Sequence, residues 1–159
     1  MTISIGDKVP SLELFIMGEG GPEAINSDDI FNGKTVALFG LPGAFTKTCS
    51  AQHLPGYVKN AEALKAQGID TIVCLSVNDA WVMNAWGEGQ NTGDKVMMVG
   101  DGGLEFTRWA ELEVDLSAKG YGARCKRFSA LLQDGVVKTL HFEDGGFGET
   151  SAERLLEDL

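Results

Sequence analysis

Two short apolar runs constrain this chain more than any other feature. Residues 35–41 read Thr-Val-Ala-Leu-Phe-Gly-Leu, and residues 69–77 read Ile-Asp-Thr-Ile-Val-Cys-Leu-Ser-Val. Neither alternates polar with apolar positions along its length. Each therefore predicts a strand covered on both faces, as in a sheet layered between helices. Between them, Leu54, Tyr57, Val58, Ala61 and Leu64 recur at helical spacing, and Gly68 follows where a left-handed C′ residue belongs. The spacing predicts a helix over residues 48–67. Pro55 falls inside it and removes the hydrogen bond to residue 51, which predicts a kink. A strand, a helix and a second buried strand make a right-handed crossover unit.

The flanking elements extend this unit. Residues 3–9 and 12–16 are weaker strand candidates, and residues 27–31 form one helical turn with Ser27 as a cap. Asn78 or Asp79 can cap a helix through Trp81, Val82, Ala85 and Trp86. Residues 95–99 read as a short strand and 104–112 as a short helix. Asp134-Gly135, between apolar residues 126–133 and 136–142, is a type I′ hairpin signal. Thr150 with Glu153 suggests a capping box before a last helix carrying Leu155, Leu156 and Leu159. This order predicts an α/β protein with a central mixed β-sheet flanked by helices, the thioredoxin-like arrangement. At 159 residues with no linker or repeat, one domain spanning residues 1–159 is expected.

Charge and cysteine content narrow the function. The 23 acidic and 13 basic residues give a net charge of −10. That disfavours phosphate neutralisation and docking on anionic lipid, so neither nucleic acid nor membrane is an expected partner. No apolar run approaches the ~18 residues of a membrane span, and residues 1–7 show no secretory pattern. Three cysteines (Cys49, Cys74 and Cys125) make no disulfide framework, no CxxC and, with two histidines, no zinc pattern. They suit the reducing cytoplasm. Gly100-Asp101-Gly102-Gly103 lacks the spacing of a nucleotide-binding turn.

The most informative stretch runs from Leu41 to Gly56. It leaves a buried strand, passes a glycine-containing turn and enters a helix, with Cys49 in the first helical turn. Unsatisfied N–H groups and the positive end of the helix dipole meet there and favour a thiolate. The carboxyl ends of strands in open α/β sheets are also where ligands bind.

Pro42, Thr46 and Cys49 stand in a P-x-x-x-T-x-x-C pattern that resembles the peroxiredoxin signature. The blocks Pro42-Gly43-Ala44-Phe45-Thr46, Thr48-Cys49-Ser50 and His53-Leu54-Pro55-Gly56 resemble the type II, peroxiredoxin-5-like branch. So do Cys74-Leu75-Ser76-Val77-Asn78-Asp79-Ala80, Arg127-Phe128-Ser129 and Asp134-Gly135-Val136-Val137. The resemblance implies a thioredoxin-like fold, no metal or prosthetic group, and commonly a homodimer. It also implies a thiol peroxidase that reduces hydrogen peroxide and alkyl hydroperoxides through a sulfenic acid.

By that pattern Cys49 is the peroxidatic residue, Thr46 hydrogen-bonds thiolate and peroxide, Pro42 walls the thiolate from water, and Arg127 supplies the cation. Arg124 occupies a second basic position, while Lys126 and Arg124 otherwise read as a solvated face. Lys47 departs from the pattern, where relatives commonly carry proline. His53 has no metal-ligand partner in the sequence and reads as structural, and Trp81 and Trp86 read as core or interface residues.

The stretch near the C-terminus, where some members carry a resolving cysteine, has none here. Cys74, Cys125 or an external thiol remains. The simplest cycle uses glutathione with glutaredoxin, or thioredoxin. Cys125 lies two residues from Arg127 and would share its strand face if the strand began early. A non-catalytic redox sensor or chaperone of the same fold is the alternative reading.

Overall fold

The computed structural model describes residues 2–143 and 147–159. The first apolar run forms β3 (Thr35–Gly40), and the second forms β4 (Thr71–Ser76). They pair in parallel, Val36 opposite Thr71 and Phe39 opposite Cys74. On the other side of β3 lies β8 (Phe128–Gln133), antiparallel, and then β9 (Val136–Phe142). Beyond β4 come β5 (Met97–Gly100), β1 (Glu13–Gly18) and β2 (Gly21–Asn26), giving the order β2-β1-β5-β4-β3-β8-β9. The sheet is mixed and flanked by helices, as the element order predicts.

Alternation along the strands divides the core in two. Val36, Leu38, Val73, Leu75, Phe128, Ala130 and Leu132 face one side, where α1 (Ser27–Phe31) and α5 (Glu105–Trp109) add Ile30, Phe31 and Phe106. Ala37, Phe39, Ile72, Cys74 and Leu131 face the other. There they meet Leu54 and Tyr57 of α2 (Leu54–Lys59), Leu64 of α3 (Ala61–Ala66), Trp86 of α4 (Ala80–Gly89) and Leu155 of α6 (Ala152–Leu156). Burying each of these large apolar side chains stabilises the fold by about 1.5–3 kcal/mol relative to leaving it exposed. The two-sided strands of the sequence thus have a layer on each face.

Several local expectations change. The long helix over residues 48–67 is three segments: a π-helical turn Cys49–His53, then α2 and α3. Leu54 N–H reaches five residues back to the carbonyl of Cys49. The wide turn lies directly before Pro55, whose missing N–H cannot continue a regular ladder. The second break is at Asn60, whose φ of −99° and ψ of 10° leave the helical region.

Asn26, not Ser27, caps α1, because Ser27 Oγ donates to Pro10 O and accepts from Leu12 N–H. Ser151, not Thr150, caps α6, accepting from Arg154 N–H. Residues 3–9 form no strand among the described residues; they make the isolated bridge Lys8–Val136 and single backbone bonds such as Ile3 N–H to Ala110 O and Gly6 N–H to Val137 O. β2 escapes sequence reading because Gly-Pro-Glu-Ala-Ile-Asn carries a proline that only an edge strand tolerates. A second sheet of β6 (Glu113–Asp115) and β7 (Ala123–Cys125) is also unanticipated, being three residues per strand. Asp79 does cap α4, and Asp134 and Gly135 both take positive φ, 51° and 77°, as a type I′ turn requires.

Candidate active site

The site grows from the carboxyl end of β3. After Leu41, whose N–H bonds Leu75 O, the chain turns through residues 42–48 into the π-helical turn that Cys49 begins. Three anchors shape this loop. Ala44 N–H donates to Asn78 Oδ1 at 3.0 Å, and that oxygen also accepts from Ser76 Oγ at 2.7 Å. Thr46 Oγ1 donates to Gly43 O at 2.8 Å. Arg124 Nη1 donates to Pro42 O at 3.0 Å while its Nε donates to Tyr121 O. A Cβ on Gly43 would stand 2.3 Å from Arg124 Nη1, so glycine is what lets the guanidinium approach the backbone. Arg124 is therefore a structural clamp rather than part of a solvated face.

Arg127 occupies the corner between β7 and β8. Its Nη2 donates to Cys49 Sγ at 3.1 Å and its Nη1 bonds His53 Nδ1 at 2.7 Å. His53 Nε2 lies 3.0 Å from Thr150 O. A carbonyl can only accept, so Nε2 carries the proton and Nδ1 accepts from the guanidinium. His53 is wholly buried, between Phe39 and Phe147. Burial first, and the Arg127 charge second, lower its pKa to about 3, so the ring is neutral and a pure acceptor toward arginine. The expected structural role of His53 is thus specific: it aims the cation. Pro42, Thr46 and Arg127 come together on the wall of a cavity of about 800 Å³, with Leu112, Val114, Leu116, Tyr121 and Phe142 as apolar lining. Lys47, Lys119, Lys126 and Glu143 also line it. Cys49 itself exposes no surface and sits behind this wall. Thr46 spends its proton on Gly43 O, so toward the cavity it offers an acceptor.

The other two cysteines have different surroundings. Cys74 lies within β4 on the Cys49 side of the sheet, and burial above all pushes its thiol well up. Cys125 belongs to the core on the opposite side. Its thiol donates to Lys126 O, and burial pushes its pKa up to about 12. The expectation that Cys125 shares a face with Arg127 fails, because β7 ends at Cys125 and the chain changes sheets before β8.

Sequence reasoning missed Asn78 as a loop anchor, Thr150 O as the acceptor for His53, and Glu143 entirely. Asn78 and Thr150 each carried a signal, but only as possible helix caps.

The redoxin family model matches residues 4–156. Peroxiredoxin-2E-2, chloroplastic, of Oryza sativa subsp. japonica is 46% identical, the alignment covering 99% of this chain and 73% of that protein. Peroxiredoxin-2D of Arabidopsis thaliana is 44% identical over 99% of this chain and 98% of its own length. The solved structure of reduced Prx3 from Vibrio vulnificus in complex with H2O2 superposes with a TM-score of 0.94 at 41% identity, covering 99% of each chain. The chain belongs to the redoxin family, and within it to the peroxiredoxins. It has their thioredoxin-like fold and their thiol peroxidase, antioxidant function.

Proposed function

We propose that Cys49 is the cysteine that reduces peroxide and that Arg127, Thr46 and Pro42 form the machinery around it. The carrying observation is the 3.1 Å contact from Arg127 Nη2 to Cys49 Sγ. A guanidinium at this distance puts a fixed positive charge and a hydrogen-bond donor on the sulfur, whose thiolate form is the nucleophile. The thiolate attacks one peroxide oxygen, an S–O bond forms and the O–O bond breaks. The sulfur is oxidised to sulfenic acid, and the departing oxygen takes a proton to become water or an alcohol. Arg127, the nearest fixed cation, stabilises the charge on that oxygen as it develops. Thr46 accepts from the peroxide O–H, and Pro42, lacking an N–H, contributes wall without adding a competing donor. The apolar lining of the cavity supports alkyl hydroperoxides as substrates beside hydrogen peroxide.

The sulfenic acid is then reduced by an external thiol, glutathione with glutaredoxin or else thioredoxin. What supports this is the placement of Cys125 across the sheet and of Cys74 inside a strand. Three unpaired cysteines fit a cytoplasmic setting. The peroxiredoxin relationship supports a homodimer, and Phe45 and Trp81, 60% and 62% accessible, are exposed aromatic side chains available to its interface.

Trp86 Nε1 donates to Ser50 Oγ, next to Cys49, so tryptophan fluorescence reports on the turn. Rapid mixing with peroxide is expected to give a fast fluorescence change in the wild type and none in Cys49→Ser. An undiminished change in Cys49→Ser would overturn the assignment. Coupled assays with each reductant, and sedimentation of the purified protein, test the remaining parts.

A further inference from the structure

Behind Arg127 the polar contacts do not stop at His53. Thr150 O, which accepts from His53 Nε2, also accepts from Tyr57 Oη at 3.2 Å. The carbonyl sits in a backbone segment whose N–H groups converge on one side chain, while Ser151 Oγ donates to Gly148 O at 2.8 Å. Glu143 Oε2 accepts from Gly148 N–H at 3.1 Å, from Thr150 N–H at 2.8 Å and from Thr150 Oγ1, and its Oε1 accepts from Glu149 N–H at 3.3 Å. Four donors converge on a single carboxylate, the arrangement in which hydrogen bonds to an ion are strongest. Burial would push this carboxyl up, but the Thr150 and backbone bonds outweigh it and hold it below the usual range. Phe147, in the same segment, meets the His53 ring edge-on at 5.3 Å and lies 5.9 Å beneath the Arg127 guanidinium.

We propose that Glu143 is a positioning residue for peroxide reduction: it clamps residues 148–150, so that Thr150 O orients His53 and His53 orients the Arg127 guanidinium toward Cys49. The inference rests on the reading of Cys49 and Arg127 given above. Glu143 touches neither sulfur nor guanidinium in the hydrogen bonds described. Its effect passes through a carbonyl that cannot swing freely and a neutral ring with one donor and one acceptor. Misplacing a charge-stabilising group by as little as ~1 Å is costly to a reaction, up to roughly a hundredfold. A clamp three contacts away, acting through Thr150 and His53, is expected to cost less, about tenfold. A glutamine can keep the Oε2 contacts and lose only the acceptor at Glu149, whereas alanine loses all four.

The test measures kcat/KM for hydrogen peroxide, the thiolate absorbance at neutral pH and the unfolding midpoint in Glu143→Gln, Glu143→Ala, Arg127→Ala and the Glu143→Ala/Arg127→Ala double variant. Positioning predicts a loss of about tenfold in Glu143→Ala, a loss within about threefold in Glu143→Gln, and less thiolate in Glu143→Ala. Loss of a nearby negative charge acting only through space would raise the thiolate fraction instead. In the Arg127→Ala background, removing Glu143 is expected to add little, because the group it positions is gone. Three results overturn the proposal: a lower unfolding midpoint with unchanged rate and thiolate, equal losses in the glutamine and alanine variants, or full additivity in the double variant. If Arg127→Ala alone leaves the rate unchanged, the reading of the site fails and the proposal falls with it.

Discussion

Cys49 and Cys125 are equally hidden from solvent, yet they lie in opposite cores of the same sheet with opposite chemistry around them. Cys125 is surrounded by apolar side chains, with the Asp101 carboxylate as its nearest charge influence, and its thiol is held protonated. Cys49 opens a π-helical turn at the end of a central strand and has a guanidinium on its sulfur. Burial alone is therefore not what separates a packed thiol from a reacting one. On the reading proposed above, a fixed cation, itself held by a neutral histidine, is what marks Cys49 as the reacting thiol. Cys74 sharpens the point: it shares the core of Cys49 but receives no hydrogen bond from Arg127 among the described residues, and burial dominates its thiol.

The comparison breaks most visibly by removing the sulfur. Cys49→Ser is expected to abolish peroxide turnover in a thiol-coupled assay, while Cys74→Ser and Cys125→Ser keep most of it. Next comes the cation. Arg127→Ala is expected to slow peroxide reduction by a factor on the order of 10²–10³, because both the thiolate and the leaving oxygen lose their partner. Arg124→Ala, which frees Pro42 O rather than the sulfur, is expected to cost less in the same assay. Thr46→Val keeps the shape but removes both the peroxide acceptor and the Gly43 contact, and a loss of about tenfold or more is expected in single-turnover rates.

The smallest effect is on stability. His53 has a folded-state pKa of about 3 against about 6.5 unfolded, so the unfolded chain binds the extra proton first. The stabilisation is complete above about pH 6.5 and is lost as pH falls toward 3, by at most about 1.4 kcal/mol per unit. Denaturant midpoints between about pH 6.5 and 5 should fall in the wild type and fall less steeply in His53→Gln. Equal slopes would mean that His53 is not neutral in the folded protein.

The sheet centre was legible because residues 35–41 and 69–77 are apolar without alternation, which has one common physical solution. Cys49 was legible because a cysteine at a strand–turn–helix junction is unusual for a packed thiol. Arg127 came only from resemblance, since nothing local in Arg-Cys-Lys-Arg distinguishes it from Arg124. The π-helical turn was half visible: Pro55 demanded a disruption, but whether the helix would kink or widen depends on what packs against it. The caps at Asn26 and Ser151 were each misplaced by one residue, because Ser27 and Thr150 are drawn into long-range bonds no local pattern records. Glu143 was invisible because no sequence pattern marks the convergence of donors from residues 148–150 on it, and the bond from His53 to Thr150 O joins residues far apart in the chain.

Among the three buried cysteines, only the one facing Arg127 is expected to react. The direct measurement oxidises the wild-type protein with one equivalent of hydrogen peroxide in the presence of a sulfenic-acid trap, without added thiol, and maps the labelled peptides by mass spectrometry. The expected result is label on Cys49 and no Cys49–Cys125 disulfide. Label on Cys74 or Cys125 with Cys49 unmodified, or a dominant Cys49–Cys125 disulfide, would contradict it.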